Sequence, residues 1–155
     1  MTEVEARVHP ALRGLDEGVD AEALIALRPK TYAAFDAVDD AYLRPEVGDG
    51  LSLAARAFVA WTAASLVPHK RLAEECKQEL DAVYSGEEPA LWGVMAKHVA
   101  LMVKSPATAQ KADVDALLAA GLTLKQLVEL AQIVAYVTYQ ARVLHGMRMW
   151  QKEAR

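Results

Sequence analysis

The sequence predicts an all-α protein, and three observations carry that expectation. Thirty of the 155 residues are alanine, the residue with the best helix propensity. No segment alternates β-branched and polar residues as a half-buried strand does. Most of the eight glycines and six prolines fall between apolar-periodic stretches, where helix boundaries belong. The length fits a single domain at the usual scale of about 150 residues. Within it, 1–48 reads as an N-terminal helical extension and 49–155 as the core. A chain of this size buries roughly 70% of its unfolded surface, so it needs no covalent staple.

About six to eight helices are expected. Thr2 and Glu5 have the spacing of a capping box, which starts a helix from about Glu3 to Leu12. Gly14 and Gly18 loosen the next segment. Asp20 is placed to cap a short helix ending at Arg28-Pro29. The stretch Tyr32 to Leu43 follows, stopped by Pro45 and the Gly48-Asp49-Gly50 turn. Ser52 caps the next helix, to about Leu66, and no formal charge lies between Ala57 and Pro68. A helix apolar on every side is buried on every side, in its own domain or against another chain. Pro68 suits the first turn of a helix reaching Tyr84, which Ser85-Gly86 ends. Pro89 opens another, to Lys104, before Ser105-Pro106. A short helix from Asp113 to Ala120 ends at Gly121, a good C′ residue. Thr123 and Gln126 form a second capping box. The last helix spans roughly 40 Å to Trp150, unless Gly146 bends or ends it.

Charge and motifs exclude several function classes. Seventeen basic side chains against 21 acidic ones give a net charge of −4, without the basic footprint of a nucleic-acid binder. There is no polybasic membrane signal, and no uncharged run of about 20 residues to span a bilayer. The opening MTEVEARVHP carries charges where a signal peptide needs an apolar core, so the expected location is the cytoplasm. A single cysteine, Cys76, excludes an intrachain disulfide framework and a Cys-rich zinc site. No metal is expected, because no ligand-type residue stands three or four positions after His69, His98 or His145. Nucleotide-binding glycine motifs and the Gly-x-Ser-x-Gly nucleophile turn are absent, and no cofactor is expected.

A few polar residues sit on apolar helix faces. Cys76 shares one face with His69, Leu72, Leu80 and Val83. That reads first as a small buried hydrophobe, second as a reactive thiol in an electropositive setting. His69 lies seven residues away, roughly 10 Å of helical rise, too far to touch it. His98 joins Leu91, Val94, Met95, Leu101 and Met102, either as a paired core histidine or as an acid/base group in an apolar pocket. On the last helix Leu127, Ala131, Val134 and Ala135 define a stripe that Thr138, Arg142 and His145 continue. A buried arginine needs acceptors. Arg142 is therefore expected either in a structural ion pair or as a clamp for a small carboxylate, with Thr138 and His145 beside it.

Lys97-His98-Val99-Ala100, Ser105-Pro106, Ala120-Gly121-Leu122-Thr123 and the run Ala135-Tyr136-Val137-Thr138-Tyr139-Gln140-Ala141-Arg142 carry a resemblance. Together with Leu51-Ser52 and Arg56, they are similar to the alkylhydroperoxidase (AhpD-like)/carboxymuconolactone decarboxylase superfamily, peroxidase-related branch, over about 50–150. The resemblance implies an AhpD-like helical bundle that assembles as dimers or larger rings. In the thiol-peroxidase branch it also implies a glutamate, a Cys-x-x-Cys pair and a histidine four residues later. Laid ungapped from Arg56, the glutamate position holds Ala57, the cysteine positions His69 and Leu72, and the histidine position Cys76. No register restores Cys-x-x-Cys in a chain with one cysteine, so two-thiol peroxide reduction is not carried over. The decarboxylase branch does not need that pair, and its lactone-acid substrates would suit an arginine clamp.

Three readings follow. The first is an AhpD-like protein without two-cysteine chemistry that binds a small acidic molecule. The second is a cofactor-free decarboxylase or lyase using His98 or His145 as acid/base. The third is a non-catalytic structural subunit. The uncharged stretches Ala57–Pro68 and Leu130–Ala141 exceed what a small domain easily buries, so a homodimer or larger homo-oligomer is expected.

Overall fold

The computed structural model describes residues 12–15, 19–44 and 50–153, with side chains to 149. Among these it forms seven α-helices, one 3-10 turn at Pro106–Thr108 and no strand. The helix expected from Glu3 lies, but for Leu12, outside the described residues, as does the expected division at 48/49.

Capping chemistry sets most of the boundaries. α1 (Ala21–Leu27) starts where the Asp20 carboxylate accepts from the Ala23 N–H at 3.0 Å. α2 (Pro29–Tyr42) begins three residues before the expected Tyr32. Proline takes the first helical position, where its missing N–H costs nothing. α3 (Leu53–Ser65) is capped by Ser52, whose Oγ accepts from the Ala55 N–H at 3.2 Å. α4 (Lys70–Val83) starts after His69, which is its cap, and Pro68 stands outside the helix. α5 (Ala90–Lys104) follows Pro89. α6 (Lys111–Ala119) starts two residues before Asp113, because Asp113 accepts from the Gln110 N–H at 2.8 Å in a capping box. Gly121 turns the chain at φ +102°, the left-handed region glycine tolerates. α7 (Leu124–Glu153) opens with the expected box: Thr123 N–H to Gln126 Oε1 at 2.9 Å, Gln126 N–H to Thr123 Oγ1 at 3.2 Å. It runs unbroken through Gly146.

The apolar α3 lies at the centre, packed on α4, α5 and α7. Ala60, Ala63 and Ala64 are buried in it, and their small side chains let neighbouring helices approach closely. Leu72, Met95, Val99, Ile133 and Val137 close around them. Phe58 stacks on Trp92 with ring centroids 4.4 Å apart. α2 docks on α7 through Phe35, whose ring lies 5.6 Å from Tyr136 and 5.3 Å from Tyr139. The segment before α1 is pinned on α4. Gly14 donates its N–H to Glu75 at 2.7 Å, and a Cβ on it would meet the Leu72 backbone at 2.9 Å.

The orientation of α7 corrects the stripe expected from the sequence. Its buried face is Leu130, Ile133, Val134, Val137, Ala141 and Leu144. Ala135, Arg142 and His145 are exposed, and Thr138 is half-buried. The physical reason is that 130–141 is apolar around most of its circumference, so its pattern defines no single face. The position of α3 decides which side is covered. No single described helix is long and apolar enough to cross a membrane.

Candidate functional site

Two polar constellations stand out, one sealed in the interior and one open to solvent. In the interior, Asp39 has no exposed surface and accepts from Arg13 at 2.8 Å and from Arg44 at 2.6 Å. The Nε of Arg13 also lies 3.0 Å from Glu79. Burial opposes the charge on Arg13, but Glu79, Cys76 and Asp39 outweigh it and hold the guanidinium protonated. Cys76 lies beside this cluster, 1% exposed. Burial pushes its thiol up to about 12, more than Arg13 pulls it down. It is a neutral core residue at neutral pH, as the first reading of the sequence has it.

A second buried charge pair joins α3 to α7. Arg56 is fully buried, its Nε 3.7 Å from Glu129 and one terminal nitrogen donating to the Tyr42 carbonyl at 3.1 Å. Glu129 also accepts from the Leu51 N–H at 2.7 Å. Gly50 is constrained here, because a Cβ would meet the Glu129 carboxylate at 2.7 Å. These groups fix the entry to α3.

The open constellation is a cleft of about 280 Å³ between the α3–α4 turn, the end of α5 and the C-terminal half of α7. Val67, Pro68, Val103 and Ala141 form apolar walls. His69, Thr138, Arg142 and His145 supply its polar groups. The three proposed ligand-binding residues are thus together, joined by His69 from another element. His69 is buried, and its Nδ1 accepts from the Leu72 N–H at 3.3 Å. That hydrogen bond uses the Nδ1 lone pair and so fixes the Nε2–H tautomer. Thr138 Oγ1 donates to the Val134 carbonyl at 2.8 Å, which leaves oxygen lone pairs for a donor. Arg142 makes no ion pair or hydrogen bond with another side chain among the described residues. Arg142 is exposed, against its expected burial, and it lines the same cleft as Thr138 and His145.

Cys76 and His98 do not line this cleft. Half-buried His98 lies on α5, where burial lowers its pKa and Asp113 on α6 partly offsets the effect. Its Nδ1 is buried without a hydrogen-bond partner. Among the described residues, no three His, Cys, Asp or Glu side chains gather as metal ligands. Glu129 and Asp39 are the residues that local spacing misses. A signal for the first pair exists: Arg56 is the lone charge in 51–68, and Glu129 the lone charge between Lys125 and Arg142. Two lone opposite charges in two apolar helices have reason to meet.

No protein-family model matches the chain, and no curated protein matches it. Among solved structures, it is similar to an uncharacterized peroxidase-related protein from Ralstonia eutropha JMP134, described as an alkylhydroperoxidase AhpD core. The identity is 21%, the TM-score 0.58, and the likeness covers 79% of this chain and 71% of that one. The chain therefore has the AhpD-like all-α fold.

Proposed function

We propose that this AhpD-fold protein binds a small acidic molecule in the Arg142 cleft and does not carry out two-cysteine peroxide chemistry. The observation that carries the reading is Arg142 itself. A guanidinium cannot shed its charge, and this one lines a concave apolar site without a protein carboxylate to satisfy it. Thr138 and His145 flank it, and His69 lies opposite with a defined tautomer. A volume of about 280 Å³ suits a compact molecule, of the size of a monocyclic carboxylate. Calorimetric titration with a panel of such carboxylates tests the reading. Wild type should bind at least one of them, and Arg142→Leu should bind none. No binding by wild type, or equal binding by the variant, overturns it.

A decarboxylase or lyase acting on a lactone acid is the second reading. The observation favouring it is that two imidazoles, His69 and His145, share the cleft with the arginine. Carbon dioxide release from a lactone acid, abolished in both His69→Asn and His145→Asn, is its expected outcome.

A further inference from the structure

We propose that the hollow between α2 and α7 is a second small-molecule site, which takes a neutral monocyclic phenol and sets its hydroxyl against Tyr136. The hollow has a volume of about 390 Å³, within the usual range for small-ligand sites. Ala34, Phe35 and Val38 line it from α2, Tyr136 and Tyr139 from α7. The planes of the Phe35 and Tyr139 rings are 20° apart, and Tyr136 is tilted by 55° to Phe35. Rings set at both angles offer a further ring a stacked and an edge-to-face partner.

The Tyr136 hydroxyl argues for an oxygen-bearing ligand rather than a bare ring. Tyr136 is 7% exposed, yet its Oη is buried with no hydrogen-bond partner among the described residues. Buried hydroxyls are nearly always paired, so this one asks for a group that the described residues do not supply. Nη1 of Arg13, 5% exposed, is unpartnered in the same way. The two side chains share one neighbourhood, because Arg13 donates to Asp39 and both act on the Tyr136 hydroxyl. Burial, with Asp39 after it, raises the Tyr136 pKa, so the hydroxyl keeps its proton and can donate it.

The charges around that hydroxyl select a neutral head. Asp39, Asp36 and Glu79 act on it against Arg13 alone. A carboxylate there would meet net repulsion and lose its water. A phenol hydroxyl has no charge to desolvate, and it can accept from Tyr136 or donate to it. Lys30, the one charged residue in the lining, is exposed, so water and salt screen its pull on an anion. The open guanidinium of Arg142 remains the place for an acid, and the two sites divide ligands by charge.

Amide shifts followed by NMR during titration with phenol, toluene and benzoate test this. Phenol should bind wild type saturably, with shifts confined to α2 and the turns of α7 around Tyr136. Toluene should bind more weakly, and benzoate should not displace phenol. Ala34→Phe, which fills the hollow from an exposed helix position, should abolish phenol binding with an unchanged melting temperature. Tyr136→Phe should weaken phenol about fivefold, the worth of one net hydrogen bond, and leave toluene binding as it is. It should not lower the melting temperature, since it removes a group without a partner. No saturable binding, shifts away from the hollow, or full binding by Ala34→Phe overturns the site. Toluene as tight as phenol, displacement by benzoate, or a Tyr136→Phe variant that loses stability overturns the pairing of a neutral hydroxyl with Tyr136. Carboxylate binding in the Arg142 cleft is a separate measurement, so failure here leaves that reading standing.

Discussion

The interior around Cys76 and the cleft around Arg142 both hold an arginine beside groups able to do chemistry, yet they are opposites. Arg13 is buried against Asp39 and Glu79, so its charge is spent on the protein. Arg142 is exposed and faces no carboxylate, so its charge is available to a ligand. Both regions are organised by α4, with His69 at its cap and Cys76 two turns further in. Residue type alone does not separate them. The number of acceptors already in place does.

The largest expected effect is on the thiol. With its pKa pushed up to about 12 from 9.0, Cys76 holds about a thousandfold less thiolate at neutral pH than an ordinary cysteine. Alkylation should be slow in the native protein and fast after unfolding, and peroxide turnover with a dithiol reductant should be undetectable. Rapid native alkylation would erase the contrast between the two regions. The sign of the linked stability follows. The raised thiol pKa favours the fold below about pH 9, and that contribution is lost as pH rises through about 12.

Asp39→Ala should come next, because it removes the fully buried carboxylate of the cluster and leaves Arg13 with Glu79 alone. Breaking a buried pair costs about 3–5 kcal/mol, read as a lower denaturant midpoint. A smaller loss, within the range of surface substitutions, would show the cluster to be more hydrated than its burial implies. Gly14→Ala should cost at least about 1–2 kcal/mol, because its φ of +81° is left-handed and its Cβ would press on Leu72. His69→Ala should cost about 1 kcal/mol through the lost cap of α4, and His69→Asn should recover most of it. Recovery of the melting temperature without recovery of carboxylate binding would separate the two roles of that imidazole. Arg142→Leu should change stability by less than about 0.5 kcal/mol while removing the ligand affinity. A large loss of stability there would place Arg142 with the structural arginines instead.

Element boundaries were legible where one of the usual capping side chains closes a local hydrogen bond. Asp20, Ser52 and the Thr123–Gln126 box mark their helices because cap and helix are adjacent in sequence. His69 was not legible as a cap, since imidazole is not among the usual capping groups. The membership of the cleft was partly legible, because Thr138, Arg142 and His145 share a helix side at regular spacing. Its exposure was not. Periodicity locates a face only against a polar background, and 130–141 offers little. The pairs Arg13–Asp39 and Arg56–Glu129 depend on how distant helices dock, which spacing within one helix does not encode.

The tie from Glu129 back to the Leu51 N–H spans 78 positions, and it sets an order on the growing polypeptide. Synthesis at about 5–20 residues per second separates the two ends by roughly 4–16 s. During that interval α3 exists without the carboxylate that closes over Arg56, and α7 has not arrived to cover it. An emerging chain must therefore keep its most apolar helix from other partners until the last fifth of the molecule is made. Ribosome-arrested chains ending before Glu129 should be cut readily near α3 by a protease, and chains that include α7 should resist.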